Sequence, residues 1–135
     1  MEKRFLLTPY FLDDRKEGYL AFKEEGWALN RAEAGEGADI QQRVLPFYER
    51  IAEFVGETAA GGQLPVSLAG DCCMSLPVLK GLQTAGIQPT LLWLDAHGDF
   101  NTWETTPSGF LGGMPLAMMV GLGEQTWMEA LEIGQ

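Results

Sequence analysis

Residues 91–101 read LLWLDAHGDFN, and their reading decides the fold. An apolar run ends abruptly in Asp95, His97 and Asp99, each two residues from the next, and His97 is the chain's only histidine. The run TLLWL (90–94) is apolar without alternation, which predicts a parallel strand buried on both faces. A second stretch, AGDCCMS (69–75), repeats the pattern: an apolar run, then Asp71 and both cysteines, Cys72 and Cys73. Both clusters begin where a predicted strand ends. In parallel sheets, sites form at the carboxyl ends of strands, so the two clusters are expected at one sheet edge.

Working outward, RFLLTPYFL predicts a first strand near residues 4–7, limited by Pro9. Residues 13–25 read as a loop or short helix, GWALN (26–30) as a short strand, and RAEAGEGADI as a glycine-rich loop. From Ile40 to Ala59, Ile40, Val44, Phe47, Ile51, Phe54 and Val55 recur at spacings of three and four. That is one apolar helical stripe, with Asp39 as the expected cap and Pro46 as a point for a kink or a later start. LPVSLAG (64–70) predicts a strand. SLPVLKGLQTAG (75–86) predicts a helix capped by Ser75, with Pro77 in its first turn. GGMPLAMMVG (112–121) and EQTWMEALEIG predict further helices. The alternation of strands and helices predicts a single α/β domain with a parallel sheet.

Composition narrows the partners. The chain has 135 residues, 46% of them hydrophobic, enough for one domain with a core. The net charge of −10 disfavours nucleic acid and anionic lipid surfaces. All nine basic residues lie at or before Lys80, leaving six acidic residues and no lysine or arginine from Gly81 onward. That half suits a cation rather than a phosphate. Glu124, Glu129 and Glu132 read as solvated surface charges. No apolar run is long enough to span a bilayer and none resembles a signal peptide. Two adjacent cysteines are poorly placed to staple a fold, so free thiols in a cytoplasmic protein are expected.

Two hard oxygen ligands and an imidazole within five residues suit Mn²⁺, Fe²⁺ or Zn²⁺. The alternative is that Asp95 and Asp99 cap a loop and His97 is a half-buried, hydrogen-bonded histidine. A thiol chemistry at Cys72 and Cys73 is a further alternative, although no basic residue lies near in sequence to favour the thiolate.

Residues 95–115, DAHGDFNTWETTPSGFLGGMP, resemble the ureohydrolase family: arginase, agmatinase and formimidoylglutamase. SLAGDCCMS resembles that family's Gly-Gly-Asp-His-Ser segment, and the likeness runs on to about Gly121. It implies a three-layer α/β/α fold of the arginase type, apparently truncated, over residues 1–135. It also implies a metal-dependent hydrolase of linear guanidino or amidine C–N bonds. By resemblance, Asp95 matches a metal-bridging carboxylate, His97 an imidazole ligand of one manganese and Asp99 a carboxylate ligand of the other. Asn101 and Ser108 match positions that contact the amino-acid end of the substrate in arginases. Asp71 would order the surroundings of the ligands.

Three departures accompany the likeness. Cys72 stands in place of a histidine ligand, and a thiolate favours zinc over manganese. Gly112 replaces a proton-shuttling histidine and Phe110 a neighbouring asparagine. A later Asp-x-Asp metal motif is absent from these 135 residues. The expectation is therefore one metal or none in this chain alone, in a fragment or a short self-associating form. The competing expectation is a non-catalytic binding or assembly subunit on the same fold. Either way a homo-oligomer is expected, because a sheet cut here exposes a strand edge.

Overall fold

A computed structural model describes residues 1–134. Among these residues, five strands and four α-helices form in the order β1 (Lys3–Leu7), β2 (Tyr10–Phe11), β3 (Asp14–Arg15), β4 (Ala28–Leu29), α1 (Ile40–Ala60), β5 (Leu64–Leu68), α2 (Leu76–Thr84), α3 (Pro115–Met119) and α4 (Thr126–Ala130). The main sheet runs β4-β1-β5 with both pairings parallel, and β2 and β3 form a small antiparallel pair. This is the α/β parallel-sheet architecture that the sequence predicts.

The long helix forms as its stripe dictates. Val44, Phe47, Tyr48, Ile51 and Val55 are fully buried against the sheet and the later helices. Pro46 does not interrupt α1. The turn before it is braced by the glycine-rich loop, where the Gly35 N–H donates to the Arg43 carbonyl at 2.8 Å. Asp39 precedes the helix but its side chain makes no capping bond; the Arg43 guanidinium instead pairs with Asp13 at 2.7 Å. Asn30, fully buried after β4, donates to Thr8 Oγ1 at 3.2 Å and to the Phe47 carbonyl at 3.1 Å. One amide thus ties the sheet to α1, satisfying polar groups that would be costly to bury alone.

Helices α1 and α2 approach closely through glycine. A Cβ at Gly81 would lie 2.5 Å from the Ala52 carbonyl oxygen and 2.7 Å from Val55 Cβ. Only a bare α-carbon fits at that distance. At the other end of the chain, the buried Trp127 of α4 packs at a tilt on Tyr48, rings 5.3 Å apart, and donates to the Gln41 carbonyl at 3.0 Å.

Three expectations are corrected. TLLWL forms no strand: Leu91, Leu92 and Leu94 are 55, 79 and 85% exposed. A strand needs a neighbour to take its N–H and C=O groups, and among the described residues this run has none. The outer edge of β5 is also unpaired. Ser67 Oγ and Trp93 Nε1, both buried without a partner, line one small gap between β5 and the run. Ser75 does not cap α2; it lies in a 3-10 turn, Cys72–Ser75, and its hydroxyl donates back to the Cys72 carbonyl at 2.6 Å. Glu124 is not a solvated charge. It is 8% exposed and accepts from Thr126 N at 2.8 Å, Trp103 Nε1 at 3.1 Å and Gln41 Nε2 at 3.3 Å. Burial disfavours its charge, but those donors outweigh the burial and hold its carboxyl below the ordinary value.

Leu92→Lys is expected to leave the denaturation midpoint within ~0.5 kcal/mol of wild type. Leu6→Ala, at a fully buried β1 position, is expected to cost ~2–5 kcal/mol. Urea unfolding measures both; equal losses would mean that the apolar run is packed in solution.

Candidate metal centre

Strand β5 runs into Gly70 and Asp71. A Cβ at Gly70 would lie 2.3 Å from the Tyr10 carbonyl oxygen, so this position too needs glycine. The Asp71 carboxylate then accepts from the Leu12 N–H at 2.8 Å and the Cys73 N–H at 3.0 Å. It caps the Cys72–Ser75 turn and holds the β2–β3 hairpin against it. Burial pushes its carboxyl pKa up, and the backbone donors from Leu12, Cys73 and Met74 work against that shift. Asp71 therefore sets the orientation of the cysteine turn through the backbone.

The turn splits the two thiols. Cys73 is buried and donates to the Leu111 carbonyl at 3.2 Å. Cys72 is half-buried and donates to Asp95 Oδ2 at 3.7 Å. Although TLLWL is not a strand, its end still meets the end of β5. Cys72, Asp95 and Asp99 each place one ligand atom within 4.8 Å of the others. Asp99 is 5% exposed, at a positive φ of 45°, and its Oδ2 is buried with no hydrogen-bond partner. Such an orphaned carboxylate oxygen beside a second carboxylate and a sulfur fits a cation. Two carboxylates and a sulfur could hold a divalent ion, the sulfur suiting a softer one than manganese.

His97 lies beside this cluster rather than in it. Its ring is 82% exposed and its Nδ1 sits 3.1 Å from Asp95 Oδ1, which also accepts the His97 N–H at 2.8 Å. That backbone donor holds the Asp95 carboxyl below its ordinary value. Asn101 and Ser108 line the same cleft, of about 710 Å³, but make turn contacts. Asn101 Oδ1 accepts from Thr105 Oγ1 at 3.3 Å, and Ser108 Oγ accepts from the Phe110 N–H at 3.3 Å. Burial, then the Asp99 and Asp95 carboxylates, push the Cys72 thiol up to about 12. Cys73 is raised as well. Neither free thiol is activated as a nucleophile.

The sequence offered no sign of what Phe110 does. Its ring stacks on Phe11, centroids 5.8 Å apart. A Cβ on Gly112 would lie 2.4 Å from that ring. Phe110 thus fills the volume into which a side chain at position 112 would project.

A family model described as the arginase family matches residues 17–133. The chain belongs to the arginase family. It is similar to the arginase of Bacillus subtilis strain 168, 37% identical over 83 residues, which are 62% of this chain and 28% of that protein. Its structure aligns with the crystal structure of Bacillus subtilis arginase at a TM-score of 0.72 and 26% identity, over 100% of this chain and 52% of that one. The native arginase structure from Bacillus caldovelox aligns at the same TM-score and 23% identity, over 95% of this chain and 52% of that one. The chain therefore spans about half the length of the solved arginases it matches. No helix among the described residues is long and apolar enough to cross a membrane.

Gly112→His is expected to displace the half-exposed Phe110 ring from Phe11 at a cost of only ~0.5 kcal/mol, which adding Phe110→Ala removes. A double-mutant cycle of thermal unfolding checks it; additive effects would show that the two positions do not share one volume. In metal-free protein, alkylation of Cys72 by iodoacetamide is expected to keep accelerating with pH towards about 12. Levelling near 9 would show an unburdened thiol.

Proposed function

We propose that residues 1–135 form one partial arginase-like domain that holds a divalent cation for hydrolysis of a guanidino or amidine C–N bond. The observation that carries this reading is the Asp99 Oδ2 atom, buried and unpartnered within reach of Asp95 and Cys72. Asp95, Asp99 and Cys72 would hold the ion, manganese by family resemblance or zinc by donor chemistry, with His97 outside this set, against Asp95. A bound divalent cation supplies Lewis acidity and a reactive water at neutral pH. The chain's own residues position and exclude. Asp71 holds the Cys72 turn through the Cys73 N–H. Asn101 and Ser108 offer an amide and a hydroxyl to the far end of a small guanidino substrate. Phe11 and Phe110 form an apolar wall of the cleft.

A second reading, a non-catalytic binding or assembly subunit, is favoured by Gly112. That position carries no proton donor, and the Phe110 ring occupies the space in front of it. In either reading the open edge of β5 and the exposed Leu91, Leu92 and Leu94 favour self-association. Two free cysteines favour a reducing cytoplasm as the compartment.

The purified chain, loaded with Mn²⁺ or Zn²⁺, is to be assayed for release of urea from L-arginine and agmatine. The hydrolase reading expects metal-dependent release that falls to background in Asp99→Asn. Equal absence of turnover in wild type and Asp99→Asn, with the chain stably folded, would favour the second reading.

A further inference from the structure

We infer that the cleft selects a thiophilic divalent cation, zinc ahead of manganese, through the sulfur of Cys72. The inference rests on the metal-binding reading of the cleft and adds the identity of the ion. The donors that converge within 4.8 Å are one sulfur and two carboxylates; no imidazole joins them. Other groups nearby are already engaged. The Asp71 oxygens take the Leu12 and Cys73 N–H groups, and Cys73 Sγ is turned to the Leu111 carbonyl. His97 stands outward, its ring against Asp95. Cys72 donates to Asp95 within the cluster, yet the buried Asp99 Oδ2 is left without a hydrogen-bond partner, an acceptor open to a ligand.

Donor chemistry then sets the order. Manganese lies at the weak end of the divalent series for any nitrogen, oxygen or sulfur site, and prefers carboxylate, carbonyl and water. Zinc binds thiolate strongly and accepts mixed sulfur and oxygen ligands. Binding releases the Cys72 proton to solvent as the sulfur joins the ion, so charge and atoms balance without any redox partner. Cys72 is also half-buried at the cleft wall, open to an entering ion, whereas Cys73 is not.

Cobalt(II) is the probe, because a bound thiolate gives it a sulfur-to-metal charge-transfer absorption in the near ultraviolet. Titrating the metal-free chain with Co²⁺ is expected to raise that band to one equivalent. Zn²⁺ is expected to abolish it, outcompeting Mn²⁺ by more than about tenfold. Cys72→Ser is expected to lose the band and Cys73→Ser to keep it. Should Cys72→Ser fail to fold, zinc-edge X-ray absorption on wild type decides: one sulfur at about 2.3 Å is expected. Mn²⁺ binding as tightly as Zn²⁺, a band that survives Cys72→Ser, or a first shell without sulfur would overturn the inference and leave the metal site standing. Failure of all three ions to bind would overturn both.

Discussion

Two backbone N–H groups meeting one half-buried carboxylate, that of Asp71, hold the functional end of this molecule together. Asp71 takes the Leu12 and Cys73 amides from segments 59 and 2 residues away. Burying a carboxylate is costly unless donors surround it, and here both donors are main-chain groups that also need acceptors. The bond that relieves the carboxylate is thus the bond that docks the hairpin. It turns the chain so that Cys73 enters the core while Cys72 faces the cleft. Remove Asp71 and the sorting of the two thiols loses its cause.

Much of this was legible in the sequence where local chemistry decides. The stripe from Ile40 to Val55 has one face to bury, and α1 forms on it, straight through Pro46. The meeting of AGDCC with DAHGD was also legible, because both end apolar runs that parallel-sheet logic brings to one edge. What failed was whatever depends on a distant neighbour. TLLWL has the composition of a central strand, yet composition cannot supply the strand beside it. Glu124 sits in an acidic half, yet a tryptophan, a glutamine and a backbone amide converge on it from three places in the chain. Phe110 and Gly112 were visible as departures, but that one fills the other's volume is a fact of three dimensions.

The candidate centre shows the same division. Residue types suggested a cation site, and two of the three DAHGD ligand candidates lie together with Cys72. His97 has the right chemistry and the wrong direction, since its own backbone amide is bound to Asp95 and its ring follows. A motif fixes which atoms are available; the path of the loop fixes which of them arrive.

The bare α-carbon of Gly81 has a reach beyond its own helix. It lets α2 lie almost in contact with the backbone of α1, and α2 begins at the turn that carries Cys72. The depth of that sulfur in the cleft is therefore geared to a helix spacing set nine residues later in the chain. In evolutionary terms, the cleft can lose its ligand geometry by drift at a residue that never touches it, and a neutral-looking gain of one methyl group there is among the least neutral changes available.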